Sequence, residues 1–425
     1  MGPQGGWRYR GEGCACSAYG DAEDHPGRVL LVSKKSDLVE GRGALSDEEA
    51  EAAGRLDAEI WTRTERPERF SAELTHIERR DWFTKQVLRP LLSHTGALAA
   101  GDLVCLRTVG FRPDGDEVGL LLPDALAVGH LCSRAGVPGV GYFGSTVAFE
   151  IKPKSAAVPG GRALIPPRQS YKRTHSEFQL MQHYKLAKGK TETASSYEPL
   201  DLLGQGSKRG ALLDLFRCPQ NNLGVYIGSR RAYPGVCSLE DLEVEVGLSV
   251  DGMVAALGEA LEQQQGTLDL ISALQGRDPH GIDGVFRIYQ GLLGRPGAFD
   301  VSEDDRECRD YVEKVGALGE LPRPLALRAL EDYLLAATFK DCSLILAFSE
   351  VNEEVSGRRE SLIELPNAGF VNAGEVGREL FYHMLLIDTD LKHVSKIPVH
   401  YEKDQSIAKI LARKSGRTST PQKSV

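Results

Sequence analysis

Glu150, Lys152 and Lys154 fall at alternate positions of Glu-Ile-Lys-Pro-Lys, just after Thr146-Val-Ala-Phe. Strand side chains alternate between faces. Val147, Phe149 and Ile151 therefore share one face, and a carboxylate and two ammonium groups share the other. Pro153 has no N–H for a central ladder, so the strand is expected at a sheet edge or ending there. A solvated edge guarded by lysines is one reading. The wall of a site for a strongly anionic ligand is the other.

A second stretch, Leu385-Leu-Ile-Asp-Thr-Asp-Leu-Lys-His393, places Asp388, Asp390 and Lys392 on one face at the end of an apolar strand. Paired carboxylates suit Mg²⁺, which takes one or two of them together with substrate phosphates. A solvated strand-end turn is the plainer alternative. In Phe339-Lys-Asp-Cys-Ser, Asp341 precedes a buried strand and suits orienting or deprotonating an attacking hydroxyl. Gly11, Glu12 and Gly13 lie between two strands, where glycines form either a flap over phosphates or a tight hairpin. Arg28 on the following strand is within reach of such phosphates. Further basic residues are dispersed: Arg168, Lys172, Arg173, His175, Lys185, Lys188 and Lys190, then Lys392, Lys396, His400 and Lys409, with Asn221 and Asn222 between. Lysine, arginine and asparagine with few aromatics suit phosphate groups rather than bases.

The elements that must position these residues read as a soluble α+β chain. Its 425 residues carry 41% hydrophobic and 26% charged side chains, enough for two or three domains or one two-lobed unit. A net charge of −9 argues against broad nucleic-acid binding, and three tryptophans offer little stacking surface for single strands. A local basic pocket inside an acidic body stays open. No apolar run is long enough to span a bilayer and no signal peptide is evident, so an intracellular protein, cytoplasmic or nuclear, is expected. Eight cysteines without a Cys-x-x-Cys read as small buried hydrophobes, and no zinc is expected. Strands are expected around residues 7–35, 103–111, 118–128 and 146–152, with a turn at 112–117 and helices at 78–94, 176–190, 239–275 and 323–338. Strands follow at Asp341–Glu350 and Phe381–His393. Residues 36–58 read as an acidic loop entering a helix, 351–369 as a charged loop, and the tail from Lys414 as disordered. No repeat and no long linker is evident. Strands dominate early and helices late, which suits two lobes with a cleft between them.

Trp-Arg-Tyr-Arg-Gly-Glu-Gly, Glu-Ile-Lys-Pro-Lys, Ser-Tyr-Glu-Pro-Leu-Asp-Leu-Leu, Pro-Gln-Asn-Asn-Leu, Lys-Asp-Cys-Ser and Ile-Asp-Thr-Asp-Leu-Lys occur here in that order. Together, from about Trp7 to Leu411, they resemble the inositol-pentakisphosphate 2-kinase family. The resemblance implies a two-lobed, kinase-like α+β fold with a smaller β-rich lobe at 1–122 and a larger lobe at 123–413. It implies transfer of the ATP γ-phosphate to the 2-hydroxyl of inositol 1,3,4,5,6-pentakisphosphate, with Mg²⁺, by a monomer without nucleic-acid or membrane partners. By the same resemblance Glu150 lies near the nucleotide, and Lys152 bridges the transferred phosphoryl group and the substrate. Lys154, Lys185, Asn221 or Asn222, Lys392, Lys396, His400 or Tyr401, and Arg107 contact the inositol phosphate. Asp341 is the carboxylate near the 2-hydroxyl, and Asp388 the metal ligand.

The chain departs from the family pattern at Leu31, where an arginine is usual, and at Leu122-Pro123-Asp124-Ala125, where an Asn-Asp-His run is typical. It departs again at Gly224, where a basic residue is common, and at Thr389; the cysteine pair of zinc-binding plant members is missing. These changes bear on nucleotide and substrate affinity more than on the chemistry. A non-catalytic inositol-phosphate binder and a kinase for a different inositol phosphate are the alternatives. A protein-kinase reading is poor, since no His-Arg-Asp catalytic loop and no Asp-Phe-Gly motif appear.

Overall fold

The computed structural model describes residues 6–12, 16–20, 25, 28–33, 46–62, 70–71, 74–99, 101–109, 111, 118–126, 146–156, 164–294, 309–357, 359–374 and 377–417. Helices combine with two antiparallel sheets, as an α+β chain requires. The first sheet holds β1 (Arg8–Glu12), β2 (Cys16–Gly20), β3 (Arg28–Ser33), β4 (Asp102–Cys105) and β5 (Val118–Pro123), in the order β1-β2-β3-β5-β4. The second holds β6 (Val147–Ile151), β7 (Leu223–Ile227), β8 (Arg230–Tyr233), β9 (Ser343–Glu350), β10 (Ala368–Asn372) and β11 (Glu379–Ile387), in the order β10-β11-β9-β6-β7-β8.

The Glu-Ile-Lys-Pro-Lys strand is not at an edge. β6 is hydrogen-bonded to β7 on one side and β9 on the other. Pro153 is tolerated because the strand stops at Ile151, before the proline would owe a ladder bond. Of the two expectations set by that proline, the ending is the one that occurs. Phe149 explains the central place. It is 3% exposed and packs edge-on against Phe216 and Phe348, with ring centroids 6.3 and 5.7 Å away.

Seven helices matter for the site: α1 (Asp47–Thr62), α2 (His76–Phe83), α3 (Glu177–Ala187), α4 (Arg209–Arg217), α5 (Gly281–Leu292), α6 (Arg323–Phe339) and α7 (Lys396–Arg417). Thr75 and Ser176 begin α2 and α3 with capping boxes, their hydroxyls accepting from the Glu78 and Gln179 N–H groups. Ser176 is the cap expected from sequence. Pro324 sits in the first turn of α6, where its missing N–H costs nothing.

One large core joins α1 (Leu56, Ile60, Trp61), α2 (Trp82, Phe83), the inner face of the second sheet and α6 (Leu330, Leu334). The first sheet closes on a smaller one of Trp7, Leu30, Leu106, Val109, Phe111 and Leu121. Three stretches differ from expectation. The charged loop at 351–369 contains helices Glu353–Ser356 and Arg359–Ile363 and leads into β10. Helices Gly281–Leu292 and Arg309–Leu318 appear where none was expected, because their apolar positions are interrupted by glycines and charges. The C-terminal helix continues to Arg417, into the segment expected as a tail, and 418–425 lie outside the described residues. No described helix is long and apolar enough to cross a membrane.

A central β6 predicts that Phe149→Ala lowers unfolding free energy by about 3–5 kcal/mol, as a cavity in a well-packed core does. Urea denaturation followed by circular dichroism measures it. A loss near 1 kcal/mol would mean that the strand is held as loosely as an edge.

Candidate active site

Three neighbouring strands end together. In the register of β6, β9 and β11, Ile151 faces Leu344, Leu344 faces Leu386, and Ser343 faces Ile387. The strands are antiparallel, so the C-terminal ends of β6 and β11 flank the N-terminal end of β9. Lys152, Ser343 and Asp388 therefore emerge side by side from stretches some 190 and 45 residues apart, as the Ser343–Glu150 and Ser343–Asp388 hydrogen bonds show. Asp341 reaches the same edge from behind, two residues past the end of α6.

Asp388 has φ of +56°, the left-handed region that a non-glycine residue adopts at some cost. Strand alternation thus stops at Ile387, and Asp388, Asp390 and Lys392 do not share a face. Each finds its own partner. Lys152 Nζ donates to Asp388 Oδ2 at 3.0 Å and lies 3.4 Å from Glu150 Oε1. The Ser343 hydroxyl is 3.0 Å from Asp388 Oδ2 and 3.1 Å from Glu150 Oε1, bridging the two carboxylates. Tyr226 donates to the other Glu150 oxygen at 2.9 Å. Asp341 accepts from Lys154 at 3.0 Å and from Lys392 at 3.1 Å. Lys154 itself has φ of +60°, which turns it out of the β6 alternation and toward Asp341. Asp390 faces Arg80 of α2 at 2.8 Å.

The charges tune one another. Burial alone would raise the Asp341 carboxyl, but Lys392 and Lys154 bring it down to about 2. Burial opposes ionisation of Asp388 too, and Lys152 overcomes it. The Lys152 amine, which burial would lower, is held well above its ordinary range by Asp388 and Glu150. Lys185 is lowered, first by burial and then by repulsion from Lys154 and Lys403. Lys403 is lowered by burial and by Lys190 and Lys154. Cations that depress one another's pKa are crowded and await an anion.

These groups line a cavity of about 1410 Å³. Lys152, Lys154, Lys185, Asn221, Asp341, Asp388, Asp390, Lys392, Lys396 and His400 all border it. Lys185 donates to Gln220 at 2.8 Å, and His400 Nδ1 lies 2.8 Å from the Tyr333 hydroxyl. Burial brings the His400 imidazole down to about 4, so it is neutral at physiological pH. Leu31, Leu122, Pro123, Ile345 and Ile387 form an apolar part of the wall.

Other expected residues stand elsewhere. Glu150 lies behind the wall, held by Tyr226 and Ser343. Asn222 is fully buried, its side-chain N and O without a protein partner among the described residues, while its carbonyl accepts from the Lys152 N–H at 2.9 Å. Tyr401 stacks on Phe286 of α5 at 4.0 Å, joining α7 to α5 rather than bordering the cavity. Arg28 turns to Asp102 on β4 at 3.1 Å. Arg107 is on the exposed turn after β4 and is not among the described residues that border the cavity. Gly11 and Glu12 close β1 across from Ala18 and Ser17, and Gly13 lies outside the described residues.

The structure adds residues that sequence reading missed. Arg10, which pairs with Asp124 at 3.2 Å, and Arg79 and Arg80 of α2 border the cavity. So does Lys403, one helical turn past His400 and two past Lys396 on α7. Its signal was the spacing 396, 400, 403, 407, legible only once the segment is seen as a helix. Arg79 and Arg80 left no such signal, because helix spacing does not say what the helix faces.

An inositol-pentakisphosphate 2-kinase of Oryza sativa subsp. indica is 28% identical over 284 residues, 63% of this chain and 61% of the rice protein. One from Arabidopsis thaliana is 26% identical over 304 residues, 66% and 63% of the two chains. One from Danio rerio is 33% identical over 177 residues, 36% and 34%. The chain thus spans about three fifths of the length of the plant relatives it matches. The family model described as inositol-pentakisphosphate 2-kinase matches residues 9–406, a span that takes in every cationic residue bordering the cavity, and the chain belongs to that family.

Proposed function

We propose that the chain transfers the γ-phosphate of ATP to the 2-hydroxyl of inositol 1,3,4,5,6-pentakisphosphate, giving inositol hexakisphosphate. One observation carries this reading: a carboxylate, Asp341, is held between two lysines, Lys154 and Lys392, in the wall of a cationic cavity. A substrate with five phosphates needs many cations and one place where a hydroxyl meets a carboxylate. We read the two sheets as lobes of a kinase-like fold, 1–122 and 123–413, with the nucleotide base against the apolar wall of Leu31, Leu122 and Pro123.

As phosphates enter, Lys154 and Lys392 exchange a carboxylate partner for a phosphate, and Asp341 becomes available to the 2-hydroxyl. A carboxyl with a pKa of about 2 is a weak base. It orients the hydroxyl and takes its proton late, as the bond to phosphorus forms. Lys152, charged and fixed between Asp388 and Glu150, is placed to neutralise the transferred group. Lys185, Lys396 and Lys403 grip the remaining phosphates, and crowding favours an arrangement in which each meets one anion. Selection of one isomer then follows from which hydroxyl is left facing Asp341.

The carboxylates of Asp388 and Glu150, joined through Ser343, form a hard-oxygen donor set of the kind that holds Mg²⁺ together with phosphates. Asp388, with Glu150 behind it, would hold the ion, which when bound neutralises charge on the nucleotide phosphates. Asp390, expected beside Asp388 as a ligand, is committed to Arg80.

Purified chain incubated with Mg-ATP and inositol 1,3,4,5,6-pentakisphosphate is expected to give a hexakisphosphate peak on anion-exchange chromatography, absent with Asp388→Ala. Tight binding without that peak would make the protein a binder, and faster turnover of a competing isomer would change the substrate. Lys152→Ala should cut kcat by about 10²–10³-fold with nucleotide affinity nearly kept, as removal of a group acting on transition-state charge does. Lys154→Ala should instead raise the KM for the inositol phosphate by about tenfold or more, the worth of one charge-assisted hydrogen bond. Near-normal turnover by Lys152→Ala would sink the assignment of that lysine.

A further inference from the structure

Asp57 is an ionisable residue with no exposure at all, on a helix that belongs to none of the motifs above. Its Oδ2 accepts from Arg79 Nη2 of α2 at 2.5 Å, and its Oδ1 accepts from the backbone N–H of Val394 at 2.9 Å. His393 Nε2 lies 3.9 Å from the same carboxylate. One buried group thus ties together α1, α2 and the segment 388–395.

That segment carries Lys392 and leads directly into Lys396, the first residue of α7. It has no regular secondary structure, so no ladder or helix bonds fix it. Its place is set by a few anchors: Asp388 to Lys152 and Ser343, Asp390 to Arg80, and the Asp390 carbonyl to the Thr338 hydroxyl at 3.1 Å. These act upstream of Lys392, whose own ammonium group pairs with Asp341. Between Lys392 and Lys396, Asp57 supplies an anchor from outside the segment through the Val394 N–H, and Val394 and Ile397 are fully buried. α1 is itself pinned to α6, the helix that delivers Asp341, by Arg323 and Glu59. Asp57 therefore sits where the position of two phosphate-binding lysines can be referred to the helix that carries the reacting carboxylate.

We propose that Asp57 is a positioning residue for Lys392 and Lys396, setting the affinity for the inositol polyphosphate and leaving the nucleotide untouched. The proposal rests on the kinase reading above, and its test separates the two. Affinity for inositol 1,3,4,5,6-pentakisphosphate is measured by calorimetry beside turnover, well below each variant's Tm. Asp57→Ala should weaken pentakisphosphate binding about tenfold or more, with the KM for ATP changed less than about twofold, since misplacing a binding group by even 1 Å is felt at that level. Asp57→Asn keeps an acceptor for the Val394 N–H and loses the charge facing Arg79. It should cost about threefold, with faster amide exchange over residues 391–397. Combining Asp57→Ala with Lys396→Ala should cost less than the product of the single losses, whereas combination with Lys185→Ala, on another wall, should multiply them.

A merely structural role would lower Tm and leave both affinities intact in the folded variants, and that result overturns the proposal. Equal losses toward ATP and pentakisphosphate would overturn it too. Should Asp57→Ala not fold, the asparagine variant decides by the same affinity and exchange readings. A wild type that binds the pentakisphosphate without phosphorylating it would end the kinase reading while Asp57 is still judged by affinity. A wild type that does not bind it would end both.

Discussion

The site depends on a balance of fixed charge. Four cations, Lys152, Lys154, Lys392 and Arg80, converge where three strands end, and each is met by a carboxylate: Asp388, Asp341 or Asp390. Without those carboxylates the ammonium groups would repel one another and turn out to solvent. With them the lysines are held, half-desolvated, in positions that phosphates can take over. The same pairs hold the wall of the cavity together.

Such a balance needs a rigid frame, because Coulomb energy between partly exposed charges is small and easily lost to side-chain freedom. The six-stranded sheet supplies it. β6, β9 and β11 are three of its four inner strands, buried on both faces at Ala148, Leu344, Leu346, Tyr382 and Met384. Their register fixes the backbone of Lys152, Ser343 and Asp388 to one another. Helices complete the frame from outside the sheet: α6 brings Asp341, α7 brings Lys396, His400 and Lys403, and α1 and α2 close over the segment between Asp388 and α7. The left-handed backbone at Lys154 and Asp388 is the local cost of turning charged residues out of the strands at the required angle.

Tyr226 and Gly224 fit one another beside Glu150. A Cβ at residue 224 would lie 3.1 Å from the Tyr226 ring, so glycine makes room for a tyrosine whose hydroxyl holds Glu150. The group that meets this Glu150 oxygen is thus an uncharged donor. Burial and Glu150 push that phenol up to about 12, so it remains a donor across the physiological range.

Much was legible without coordinates. The Glu-Ile-Lys-Pro-Lys strand, Asp341 ahead of β9, the Ser176 cap and the apolar run before Asp388 all follow from alternation, capping chemistry and hydrophobic pattern, which are properties of neighbouring residues. The ordered motifs carried the family. Pairing was not legible, because it joins residues far apart in the chain. Pro153 gave two options, edge or ending, and only the neighbours on both sides of β6 decided. Alternation placed Asp388, Asp390 and Lys392 on one face, but a positive φ at Asp388 ended the strand first and sent each to a different partner. Arg79, Arg80 and Asp57 were anonymous charges on helices, since a helix's sequence says which face is polar and not what that face meets. By itself the sequence determined the residue types, the local elements and the chemistry they permit. Tertiary structure alone decided which charge meets which, because that depends on register and packing between segments that share no local pattern.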